Sequence, residues 1–293
     1  MYRYLLASTA VLALAAPAAA ETISTAVTQP VRTSTIKSGA ADAIMINASG
    51  SVKPTSGTAV TMDSNHAVTN QGTIAIGNAN GAIGILAIAG TRGDIVNSGT
   101  IAVDEPYTPT DTDNDGDLDG PFALGSGRFA IRTEGAHTGN VNSSGTIAVE
   151  GNDSAGIWLG GPLTGAFRHD GTTAVTGDRA IGIHAEAISG DVRLAGAVSA
   201  KGVSATAAHF AGDVGGAMVI QGSISSTGYR YITPPADTSK LDADDLLQGG
   251  PALLIEGNVA GGIVLAVAPK DNSTTDNDED DDGIEDAKEG SAS

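Results

Sequence analysis

The sequence predicts an all-β protein, a right-handed parallel β-helix of roughly seven to eight coils, and three observations lead there. First, a pair of glycines six residues apart recurs. "GDIVNSGTIAV" at 93–103 returns as "GNVNSSGTIAV" at 139–149, "GAFRHDGTTAV" at 165–175, "GDVRLAGAVSA" at 190–200 and "GAMVIQGSISS" at 216–226. Second, where no insertion intervenes, the second glycine moves from 145 to 171, 196 and 222, steps of 26, 25 and 26 residues. Third, the segments are short, β-branched, alternating and bounded by Gly, Asn, Asp or Ser, which marks strands and turns rather than helices.

Each element then follows. In "TIAV", Ile101 and Val103 share one face while Thr100 and Ala102 share the other, because side chains alternate along a strand. A second apolar segment precedes each copy: "AIGI" at 82–85, "FAIR" at 129–132, "GIWL" at 156–159 and "AIGI" at 180–183. A single coil cannot bury its apolar face, but stacked coils seal one another. Ile74, Ile101, Ile147, Val198 and Ile224 should then form one interior ladder. A β-sandwich is the alternative arrangement of such strands, and it gives no reason for a constant glycine spacing.

The first twenty residues stand apart. Arg3 is a short positive region, Leu5 to Ala16 an apolar one, and Ala18-Ala19-Ala20 a small-residue cleavage site, so 1–20 reads as a signal peptide and the chain as exported. The domain reading is therefore a leader at 1–20, a β-helix over 21–268 with insertions at 104–124 and 227–250, and an acidic loop or further insertion at 269–293. No cysteine is present, so stability must come from repetitive packing or from metal.

The net charge of −19 becomes −20 once Arg3 leaves with the leader. Nucleic-acid binding needs clustered Lys and Arg, and that partner is excluded. The acid is uneven: 21 of the 34 Asp and Glu fall within 104–119, 237–245 and 271–289. All three tracts are expected to leave the coil after the equivalent strand and to project from one edge.

Two of them carry calcium-loop spacing, which sets oxygen ligands on alternate positions around a glycine turn. In "DTDNDGDLDG", Asp111, Asp113 and Asp115 take positions one, three and five, and Gly116 the sixth. The backbone of Asp117 takes the seventh and Asp119 the ninth, but Phe122 stands where a bidentate Glu is usual. "DEDDDGIEDAKE" at 278–289 is complete, with Asp278, Asp280, Asp282, Asp286 and Glu289. Its "DGIED" core resembles the calcium loops of thrombospondin type 3 repeats. A hydrated acidic loop that keeps the rod soluble is the other reading.

Other motifs carry less. In "RGD" at 92–94 the Gly-Asp belongs to the repeat, returning as Gly190-Asp191, so only Arg92 is new. The histidines (66, 137, 169, 184 and 209) lack HExxH spacing and read as turn or surface residues. Trp158, Tyr229 and Tyr231 read either as isolated packing aromatics or as a small sugar-stacking patch. Glycan-acting β-helix enzymes need paired carboxylates on a strand face, and the regular strands here are almost free of acid, so no catalytic residue is assigned.

The alanine-rich leader, the absence of cysteine and the "NSGTIAV" coils with loop insertions resemble the passenger region of a Gram-negative autotransporter, of the adhesin type, over most of 40–268. The resemblance implies display at the cell surface, a receptor or glycan as partner, and an outer-membrane β-barrel in the full-length protein. This chain stops in an acidic tract, so it reads as an N-terminal fragment without that barrel. The function expected is a structural or adhesive surface rod, rigidified by calcium. A polysaccharide-acting enzyme and a secreted calcium-binding spacer are the alternatives.

Overall fold

Each repeat winds once around a common interior and gives one strand to each of three sheets. The computed structural model describes residues 20–114, 116, 118–230, 236–239, 241–267, 275–279 and 291–293. The leader expected at 1–20 lies outside them except for Ala20.

The first sheet holds nine strands, from Glu21–Ile23 to Ile263–Leu265. The second holds eight, from Ala26–Val27 to Ser223–Thr227, and the third eight, from Val31–Arg32 to Leu253–Ile255. Successive coils pair in parallel throughout, as in Ile101↔Ile147 and Ile131↔Ile157. No helix forms among the described residues. Eight complete coils and the opening strand of a ninth make a rod of about 38 Å at ~4.8 Å per coil.

The expected interior ladder forms. Ile74, Ile101 and Ile147 align in register, and Val198 and Ile224 continue the column. Thr173 stands between Ile147 and Val198, fully buried, with no hydrogen-bond partner for its hydroxyl. Matching columns run through Ile44, Val68, Ile95 and Val141 in the first sheet and Val60, Ile85, Ile131 and Ile157 in the third. Burying each such side chain is worth roughly 1.5–3 kcal/mol, so the stack, and not any one coil, carries the fold.

One interior column is polar. Asn70, Asn97, Ser143 and His169 follow each other in register, and Asn70 Nδ2 donates to Asn97 Oδ1 at 2.8 Å. This corrects the reading of His137 and His169 as turn or surface residues, whereas His66 does lie in a turn between two strands, half-buried. His169 is fully buried, and His137 is buried with Nε2–H donating to the Gly93 carbonyl at 2.9 Å. Burial holds both imidazoles below their ordinary pKa, outweighing the bonds that Gly93 and Ala197 accept from them.

The six-residue glycine spacing now has a cause. Gly93, Gly139 and Gly165 precede first-sheet strands with φ of 126°, 146° and 158°, values that L side chains rarely adopt. The partner glycines, 99, 145, 171, 196 and 222, follow those strands where one coil's backbone lies against the next. A Cβ on Gly145 would lie 2.0 Å from the Gly99 carbonyl oxygen, and one on Gly196 1.8 Å from that of Gly171. Both ends of the strands Ile95–Asn97, Val141–Ser143 and Phe167–His169 thus need bare backbone. The Gly-Asp of "RGD" serves the same stacking: Asp94 Oδ1 accepts the Asn140 N–H at 2.7 Å, as Asp191 Oδ1 accepts that of Ala217 at 2.9 Å.

Two of the three acidic tracts leave from one corner, as expected. Residues 105–128 bridge the strands Thr100–Asp104 and Phe129–Thr133, and residues 228–252 bridge Ser223–Thr227 and Leu253–Ile255. Each passes from the second sheet to the third. The third tract does not. "GIVLAVAP" supplies a first-sheet strand, Ile263–Leu265, paired with Met218–Ile220. The chain returns at Ser293, whose carbonyl accepts the Ile224 N–H on the second sheet at 3.0 Å. Its partner strand decides its sheet, so its excursion starts one corner earlier.

Candidate functional site

The first acidic insertion is tied at its base by a buried ion pair. Arg128 Nη1 lies 2.8 Å from Glu105 Oε2, with the two side chains 1 % and 3 % exposed. Glu105 also accepts the N–H groups of Leu124 and Gly125, at 2.5 and 2.8 Å. Arg128 donates further to the carbonyls of Ala79 at 3.0 Å and Glu150 at 2.5 Å. One pair therefore closes the loop and fastens it to the coils on either side. Burial alone would raise the Glu105 carboxyl; the three donors outweigh it and hold it below its usual range. Glu150, beside it, is pushed up by burial and by the carboxylates of Asp104 and Glu105.

From that base the loop runs along the edge. Tyr107, Leu118 and Phe122 lie over the ends of second-sheet strands at Glu150, Thr176 and Lys201, enclosing about 230 Å³. At its far end it meets the second insertion. Arg230 donates to the carbonyls of Leu118 and Gly120 at 2.6 Å and Pro121 at 2.8 Å, and its guanidinium sits 5.0 Å over the Phe122 ring. The strap thus spans from the fourth coil to the eighth, about 19 Å. Phe122 is buried, so the position that a calcium loop gives to a bidentate Glu holds a packing anchor instead. Replacing Arg230 by alanine is expected to lower stability by about 2 kcal/mol, since several charge-assisted bonds are lost together. Urea unfolding midpoints check it, with an unshifted midpoint counting against the strap.

Between base and far end sits the acidic cluster. Asp111, Asp113 and Asp119 each bring a carboxylate oxygen within 4.8 Å of the others. Asp111 accepts the N–H of Asn114 at 2.6 Å and that of Gly116 at 3.2 Å, a turn that Asn114 (φ 64°) and Gly116 (φ 109°) make possible. Thr112 donates its hydroxyl to Asp119 Oδ2 at 2.5 Å, and its N–H to the same oxygen. The hydroxyl and then the amide hold Asp119 below its usual pKa. All the donor atoms are hard oxygens, the set that suits calcium. Asp115 and Asp117 lie outside the described residues, as do Asp280, Asp282, Asp286 and Glu289 of the second calcium loop. Asp278 is described and half-buried, with its N–H donating to Asp276 Oδ1 at 3.3 Å.

The other candidates resolve differently. One face of the Trp158 ring is covered by His184, stacked on it with centroids 3.9 Å apart. Tyr229 is buried, and Tyr231 lies outside the described residues. A groove of about 440 Å³ follows the glycine column past Thr146, Asp170, Thr172 and Ser223. Its carboxylate, Asp170, is held by Arg193 Nε and Nη2 at 3.1 and 3.0 Å. Sequence reasoning missed the Glu105–Arg128 pair, Arg230, and the edge-to-face pair His184 and His209. For the histidines a signal existed: "IGIHA" at 181–185 and "TAAHF" at 206–210 align at one repeat. Comparison of the chain with protein-family models, with curated proteins and with solved structures finds no match.

Proposed function

We propose that the chain is an exported structural or adhesive rod of the autotransporter-passenger kind, with its acidic insertions holding calcium along the edge. The observation that carries this reading is an eight-coil parallel solenoid whose first two insertions join into a strap carrying three converging carboxylates. A solenoid supplies length and a repetitive surface at low sequence cost, which suits reach and display. The leader-like first twenty residues support export. Calcium would draw Asp111, Asp113 and Asp119 together and relieve their mutual repulsion.

Expression of the full chain in a Gram-negative host tests the export half: a product outside the cytoplasm that begins at Glu21 is expected, and a cytoplasmic product retaining Met1 overturns it. Calorimetric titration with calcium tests the other half. Binding is expected in the unaltered chain, weakened at least tenfold by Asp111→Asn/Asp113→Asn or by Asp278→Asn/Asp280→Asn. An absence of heat in the unaltered chain removes calcium from the reading.

A further inference from the structure

On the outward face of the third sheet, Arg132, Trp158, His184 and His209 follow one another in register, with Leu254 beyond them. The two imidazoles meet edge to face, with centroids 5.0 Å apart and planes inclined by 63°. Their Nδ1 atoms lie 3.3 Å apart. Each outer nitrogen faces a carboxylate: His209 Nε2–H donates to Glu256 Oε2 at 2.9 Å, and His184 Nε2 lies 3.5 Å from Glu186 Oε1.

This arrangement leaves the two inner nitrogens facing each other. If both Nε2 atoms carry the hydrogens that the carboxylates accept, both Nδ1 atoms present lone pairs, 3.3 Å apart. A shared cation satisfies both lone pairs. A tetrahedral ion at about 2.0–2.1 Å from each nitrogen holds the nitrogens about 3.3 Å apart and the ring centres roughly 5.2 Å apart. Both distances match the observed pair. A linear N–H···N bond of the same length would set the ring centres about half an ångström further apart than observed.

We infer that His184 and His209 form a two-imidazole site for a divalent transition ion of the zinc, copper or nickel class, with Glu186 and Glu256 as the outer carboxylates that fix the ring orientation. Carboxylates on the far nitrogen are the usual partners of ligating histidines, and they set the tautomer and raise ligand basicity. Imidazole nitrogen favours these ions, whereas calcium goes to the oxygen-rich strap. The Trp158 ring on one side and Leu254 on the other give the pair an apolar surround. Burial, and then the neighbouring His209, keep the His184 imidazole below its ordinary pKa. Solvent fills the remaining positions of the ion.

Calorimetric titration of the full chain with zinc, in millimolar calcium to occupy the acidic strap, tests the site. One zinc per chain is expected, with at least tenfold weaker binding in His209→Ala and about tenfold weaker in Glu256→Gln. Substituting copper gives an independent reading, because its paramagnetic resonance spectrum should show coupling to two nitrogens in the unaltered chain. Unchanged zinc affinity in a folded His209→Ala, or a copper spectrum without nitrogen coupling, overturns the proposal. If His209→Ala does not fold, the copper spectrum of the unaltered chain decides.

Discussion

Replacing Arg128 by alanine is expected to cost about 3–5 kcal/mol, because removing one partner of a buried ion pair leaves the other charge without compensation. Glu105 is 3 % exposed and would keep only the Leu124 and Gly125 N–H groups. The carbonyls of Ala79 and Glu150 would lose their donor as well. The pH dependence sharpens the test. In the unaltered chain the Glu105 pKa is depressed, so its stabilisation is present above the unfolded carboxyl pKa of about 4.3 and is lost as the pH falls through the lower folded value. In the variant, burial without the cation raises the folded pKa instead. Stability then falls as the pH rises through that raised value, so the deficit should be greatest near neutrality and narrow toward pH about 4. Urea midpoints measured across that range would reveal it, and a pH-independent deficit would contradict the account.

Gly196→Ala is the second large effect. The new Cβ would stand 1.8 Å from the Gly171 carbonyl oxygen and 2.7 Å from the backbone carbon of Asp170. Backbone cannot swing aside as a side chain can, so the seventh coil must part from the sixth, at a cost on the order of 3 kcal/mol or more. Gly77→Ala is the matched control. Its Cβ would meet only Asp104 Oδ1, at 3.9 Å, and a strand glycine that gains a methyl group without a clash should be neutral or gain up to about 1 kcal/mol. Thermal unfolding of both variants decides the matter; equal midpoints would mean that the glycine column is compositional and not steric.

Periodic features were legible in the sequence because the solenoid repeats its chemistry with its geometry. The Ile101 column, the glycine spacing and the corner shared by the first two insertions all follow from aligning one repeat on the next. What escaped was either aperiodic or hidden in the alignment. Arg128 follows an insertion, and its partner Glu105 begins it, so nothing in the repeat announces that they meet. His169 looked like a surface residue because it is polar, yet it occupies the inward position of Asn97 and Ser143. "GIVLAVAP" precedes the third tract, and its pairing with Met218–Ile220 assigns it to the first sheet, so that tract cannot leave from the corner of the other two. Of the calcium positions in the first tract, spacing identified three carboxylates that do converge. It could not show that Phe122 is packed beneath Arg230.

The strap between Arg128 and Arg230 also bears on how such a rod would yield under tension. In a stack where each turn touches only its neighbours, a pull at one tip peels the turns away singly. A brace fastened around the fourth turn, to the third and the fifth, and again at the eighth makes that stretch give way together. The two turns nearest the amino terminus, which the brace does not reach, would act as the fuse.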